Sequence, residues 1–195
     1  TTEIYTLSLH DALPIYIFSE LAEKGYTVAN SMDEVERAKD KFVYLPAQEG
    51  MPKMSEGRGE FLIMMAKKMI RQFSGSPKGF FALIEGSQID WGGHANDSQY
   101  IINEMIDFNN VIDMVLNFAQ QDGNTLVVVT ADHETGGYGL IEGDLKGNNV
   151  GGKFIWGNHT ATMVPVFAYG PGEENFRGII DNTDIFKNIL KSIGW

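Results

Sequence analysis

The sequence has 195 residues, 43% hydrophobic and 21% charged, which suits one soluble globular domain with a real core. A formal net charge of −11 argues against a nucleic-acid partner, because a phosphate backbone calls for a basic face. No run is long enough to span a bilayer, and the absence of cysteine excludes disulfides and thiolate metal sites.

Residues 1–15 (TTEIYTLSLHDALPI) show no clear helical or strand period, and Pro14 interrupts them. SLHDALPI resembles translated adapter sequence at the ends of metagenomic reading frames. This segment therefore reads as non-native, which leaves His10 without a role. An ordinary N-terminal loop is the alternative. No secretory signal pattern is visible.

From Ile17 the pattern becomes regular. Residues 17–24 read as a helix closed by Gly25, and 26–29 as a short strand. Residues 33–40 read as a charged helix with Ser31 as N-cap. Residues 42–45 form a strand stopped by Pro46, and 48–55 a loop. Helix 58–73 carries Phe61, Leu62, Met65, Met69, Ile70 and Phe73 on one face.

After the turn cluster at 74–79, the apolar run 80–84 has the look of a strand buried on both faces. The longest helix spans 98–121, with its stripe at Ile101, Met105, Ile112, Val115, Leu116 and Ala119, and Gly123 ends it. Residues 125–130 and 164–168 are further buried strands. Between them, 140–157 reads as a Gly/Asn-rich loop. A closing helix covers 183–193, its start favoured by Asp181 and Asp184. This order predicts an α/β fold, a layered sheet of mostly parallel strands flanked by helices. Residues 16–195 read as part of a single domain, with no linker.

Three motifs sit at strand ends, the edge where open α/β sheets bind ligands. EGSQIDWGGH follows strand 80–84 and holds Glu85, Asp90 and His94. TADHETGG closes strand 125–130 and holds Asp132 and His133. GNHT precedes strand 164–168 and holds His159. Asp90 and His94, four apart, can share one helix face. Mixed imidazole and carboxylate ligands fit Zn²⁺, whereas an all-oxygen set around Glu85 fits Mg²⁺ better. Two close zinc ions could clamp both oxygens of an in-line phosphoryl displacement. Bound cations would also explain an acidic chain that handles phosphate. Taken singly, each histidine reads equally as a hydrogen-bonded structural residue and each aspartate as a cap. Three such motifs, using every histidine but His10, point to a dinuclear metallohydrolase.

EGSQIDWGGHAND, NTLVVVTADHETGG and GNHTATMVPVFAYGP together resemble the C-terminal half of the alkaline phosphatases, from about residue 53 to the end. The resemblance implies an alkaline-phosphatase-like fold, incomplete at its N-terminus. It implies that Asp90, His94 and His159 bind one zinc, that Asp132 and His133 bind the second, and that Glu85 binds magnesium. In the family's reaction a serine attacks phosphorus, and the resulting phosphoserine is hydrolysed with metal help. That serine, a bridging aspartate, a further magnesium ligand and a phosphate-binding arginine belong to a half with no counterpart here. No catalytic residue is therefore assigned. Ser87 does not match the nucleophile motif, and Arg37, Arg58, Arg71 and Arg177 read as surface residues. Trp91 reads as packing or as a change in phosphate contacts.

The resemblance further implies small phosphomonoester substrates, export to the periplasm or secretion, and room for a homodimer. It implies that this chain alone is inactive. Rival readings are a phosphodiesterase, sulfatase or phosphoglycerate mutase of the same superfamily, or a non-catalytic metal-binding domain.

Overall fold

The computed structural model describes residues 4–7, 16–47, 50–144, 146–147 and 149–194. The chain divides into two units, Thr1–Ser87 and Gln88–Trp195.

In the first unit the order is β1 (Ile4–Leu7), α1 (Tyr16–Glu23), β2 (Thr27–Ala29), α2 (Met32–Arg37), β3 (Phe42–Tyr44), α3 (Phe61–Phe73) and β4 (Phe81–Ile84). Ser31 caps α2 as expected, its hydroxyl accepting from the Glu34 amide at 3.3 Å. The helix expected over 58–73 starts later, after a 3-10 turn at Met54–Glu56. Its apolar face packs Met65 against Ala29 and Val35, with Met32, Phe42, Tyr44 and Phe61 around them. Lys68 on the same helix is buried because its ammonium caps the end of α2, donating to the Ala38 carbonyl at 2.7 Å and to that of Glu36 at 3.2 Å.

β1 pairs in parallel with β4, from Ile4 opposite Phe81 to Leu7 opposite Ile84. Local pattern predicts no strand there, because pairing rather than period makes this one. His10 lies outside the described residues.

The second unit runs α4 (Gln88–His94), α5 (Ser98–Asp122), β5 (Val127–Thr130), β6 (Glu134–Thr135), β7 (Gly139–Asp144), β8 (Asn149–Lys153), β9 (His159–Thr160), β10 (Val166–Tyr169) and α6 (Asp184–Ser192). Asp97 caps α5 by accepting from the Tyr100 amide at 3.1 Å, and Gly123 closes it. The buried residues of α5 are Tyr100, Glu104, Asp107, Val111 and Ala119. The apolar stripe misplaces the buried face at the helix start, where Met105 is 47% exposed. There α4 packs on the helix, and the Tyr100 hydroxyl donates to the Gln88 side-chain carbonyl.

The described strands form five two-stranded pairs. β1–β4 and β2–β3 are parallel; β5–β10, β6–β9 and β7–β8 are antiparallel. This differs from the mostly parallel sheet that alternating strands and helices predict. The chain returns from β5 to β10 without an intervening helix, so the return runs in the opposite direction. The loop expected over 140–157 contains the β7–β8 hairpin, with an irregularity between Leu140 and Glu142. β4, β5 and β10 are half-buried or exposed rather than covered on both faces, with Leu83 48% and Phe167 64% exposed. Each is hydrogen-bonded to one strand among the described residues, and a strand with one free side shows more of its surface.

Candidate metal centre

Three chain segments deliver the cluster. α4 carries Asp90 and His94 on one face, and the His94 Nε2 lies 3.4 Å from Asp90 Oδ2. The turn after β5 carries Asp132 and His133, whose Nε2 and Oδ2 are 3.2 Å apart. β9 carries His159, opposite Thr135 of β6. The antiparallel β5–β10 pair brings the third segment to the second. Thr130 at the end of β5 faces Val166 at the start of β10. The residues before β10 therefore lie beside those after β5, and the β6–β9 bridge continues that pairing.

Two glycines make the approach possible. A Cβ on Gly93 would stand 2.8 Å from both the Cβ and the carbonyl oxygen of Thr135. Its absence lets α4 lie directly on β6. Gly136 turns the chain out of β6 at φ +94°, a conformation disfavoured for L side chains. Its amide donates to the Asn158 carbonyl at 3.0 Å, next to His159.

The five side chains converge. His94 Nδ1 lies 2.9 Å from the Gly157 carbonyl. A carbonyl only accepts, so Nδ1 holds the proton and the lone pair sits on Nε2 in the neutral ring. That nitrogen is 3.1 Å from His159 Nε2, which is itself 3.6 Å from Asp90 Oδ1. Zinc bonds of about 2.0–2.1 Å in a tetrahedron place ligand atoms about 3.3 Å apart. The separations of 3.1, 3.4 and 3.6 Å are close to that spacing, with Asp90 presenting Oδ2 to His94 and Oδ1 to His159. The donor set therefore fits a zinc ion.

The groups expected for two metals are not spatially separate. The His133 ring stacks on that of His159, with centroids 3.5 Å apart and planes at 19°. Ligand atoms of Asp90, His133 and His159 all lie within 4.8 Å of one another. Asp132 is the most open member, its side chain 86% exposed against 26% for Asp90. Glu85 follows β4 at the end of the first unit and is half-buried. Arg71 and Arg177 are surface residues as expected, paired with Glu36 and Glu173. Arg58 is half-buried, with a guanidinium nitrogen 3.3 Å from the Pro52 carbonyl.

Spacing did not single out the polar residues that hold the cluster. Thr135 Oγ1 lies 2.5 Å from Asp90 Oδ1 and 3.2 Å from His133 Nδ1. The Glu134 carboxylate accepts from the Gly137 amide at 2.8 and 3.1 Å and from the Thr160 hydroxyl. Glu134 and Thr135 lie within TADHETGG, but each also has a partner far along the chain, 26 residues away for Glu134 and 45 for Thr135, and only the folded chain reveals those.

The family model described as alkaline phosphatase matches residues 25–157, which include Glu85, Asp90, His94, Asp132 and His133. The chain belongs to the alkaline phosphatase family. It is 29% identical to alkaline phosphatase 3 of Bacillus subtilis (strain 168), over 91% of this chain and 54% of that protein. The alkaline phosphatase of the Antarctic bacterium TAB5 superposes with a TM-score of 0.84 at 43% identity, covering 92% of this chain and 55% of that one. A variant of the TAB5 enzyme, solved with Mg bound in its M3 site, superposes at 0.82 with 42% identity and the same coverage. The fold is thus an alkaline-phosphatase-like α/β fold. The chain spans about half the length of these relatives. Among the described residues, no helix is long and apolar enough to cross a membrane.

Proposed function

We propose that the protein hydrolyses phosphate monoesters in a metal-dependent reaction of alkaline phosphatase type. The observation that carries this reading is the convergence of Asp90, His94 and His159 at zinc-ligand separations, with His133 stacked alongside. We assign Asp90, His94 and His159 to one zinc, Asp132 and His133 to a second, and Glu85 to magnesium. Bound there, the metals supply charge neutralisation on a phosphoryl group and activation of a nucleophile near neutral pH.

The chain's own residues prepare that site. The Gly157 carbonyl holds the His94 proton on Nδ1 and leaves Nε2 free to ligate. Asp90, within reach of both His94 and His159, contributes the negative charge that balances a cation. The exposed flank at Asp132 leaves access for a compact phosphate headgroup.

In this reading residues 16–195 are the C-terminal part of one alkaline-phosphatase-like domain. The serine that becomes phosphoserine belongs to the family's N-terminal half, which has no counterpart in these residues. Small phosphomonoesters are the substrates, a homodimer is compatible, and the compartment is periplasmic or extracellular.

The test is equilibrium dialysis of the purified chain against zinc, with p-nitrophenyl phosphate turnover measured in parallel. Zinc uptake that falls in Asp90→Ala, together with negligible turnover, is the expected result. No zinc uptake overturns the metal reading. Strong turnover above a metal-free control overturns the assignment of the nucleophile to a segment outside the chain.

A further inference from the structure

The Thr135 hydroxyl stands between a carboxylate and an imidazole that belong to different metal groups in the reading above. It is 2.5 Å from Asp90 Oδ1 and 3.2 Å from His133 Nδ1. A hydroxyl has one proton to give and lone pairs to accept with, whereas an ionised carboxylate only accepts. The single Thr135 proton therefore goes to Asp90. The remaining contact must then run the other way, with His133 Nδ1–H donating to the Thr135 oxygen. That polarity sets the tautomer of His133, with the proton on Nδ1 and the lone pair on Nε2. The same Nε2 lies beside Asp132 and is the atom available to a metal.

The backbone holds Thr135 in this position. Thr135 is paired with His159 across the β6–β9 bridge. On its other side it lies against Gly93 of α4, where a Cβ would stand 2.8 Å away. The residue thus touches all three segments that build the cluster: α4, the turn after β5, and β9.

We propose that Thr135 is a positioning residue that orients Asp90 and fixes His133 in its Nδ1–H form, so that the two metal groups are set by one hydroxyl. The proposal rests on the metal reading above. Outer hydrogen-bond partners of metal ligands carry about 10–100-fold of metal affinity. Thr135→Val keeps the branched shape and removes the hydroxyl; Thr135→Ser keeps the hydroxyl.

The test has two arms on the full chain. In the first, zinc affinity is measured by competition with a chromophoric chelator. Thr135→Val should bind about 10–100-fold more weakly, and Thr135→Ser should retain most of the affinity. In the second, nitrogen-15 imidazole spectra of the unaltered, metal-free chain are recorded at alkaline pH, where imidazoles are neutral. His133 should report its proton on Nδ1. Zinc uptake by the unaltered chain with undiminished affinity in Thr135→Val overturns the Thr135 assignment alone. A His133 proton found on Nε2 also overturns it, and needs no variant to fold. Absence of zinc uptake by the unaltered chain overturns the metal reading and this assignment together.

Discussion

His94 and His159, 65 residues apart in sequence, face each other Nε2 to Nε2 at 3.1 Å. Each also reaches Asp90, at 3.4 and 3.6 Å. Two imidazole nitrogens and a carboxylate at these separations suit a cation in the space between them.

Asp90 touches both imidazoles, so it should matter most for metal binding. Asp90→Ala is expected to lower zinc affinity by about a hundredfold or more, beyond the effect of losing an outer partner. His94→Ala and His159→Ala should each weaken binding as well. Competition titrations of the three variants check the order.

Gly93→Ala should disturb the fold at the site, because the added methyl meets the Thr135 carbonyl and Cβ at 2.8 Å. Overpacking of this kind costs about 1–3 kcal/mol. Gly75→Ala is the control, since nothing lies within 4 Å of its Cβ position. Urea denaturation of the two variants should separate them clearly.

Met64 and Met65 are neighbours on α3 with opposite fates. Met65 is 4% exposed and packs on Ala29 and Val35, whereas Met64 is 40% exposed. Met65→Ala is expected to destabilise the chain by about 2–5 kcal/mol. Met64→Ala should stay within about 0.5 kcal/mol, as surface substitutions do. The same denaturation measurement reads both.

The start of α6 should loosen in acid. The Thr183 backbone amide, then its hydroxyl, donates to Asp181 and holds that carboxyl below the ordinary carboxylate value. A depressed carboxyl contributes stability above its unfolded pKa and loses it as pH falls through the folded value. Hydrogen exchange of the Thr183 amide, corrected for its intrinsic pH dependence, should show protection falling in acid. Asp181→Asn should remove the titration.

Much of the helical scaffold was legible in local pattern. The C-terminal end of α5 followed from its closing glycine, and α2 from Ser31, because these signals act over three or four residues. The buried face of α5 was not legible. Apolar period marks a stripe, but α4 decided which residues it covers, and the covered set includes Glu104 and Asp107. The β7–β8 hairpin was hidden in a Gly/Asn-rich stretch, where cross-strand pairing rather than apolar alternation makes the strands.

The sequence by itself determined the chemistry on offer: three histidines and three carboxylates, in motifs that lie next to strands and resemble one family. Only the tertiary structure decided how five of those six meet. β10 runs antiparallel to β5, which carries His159 back to His133, and Thr135 then joins them to Asp90. Strand direction and hydroxyl partners are set by contacts dozens of residues apart, and no local period encodes them.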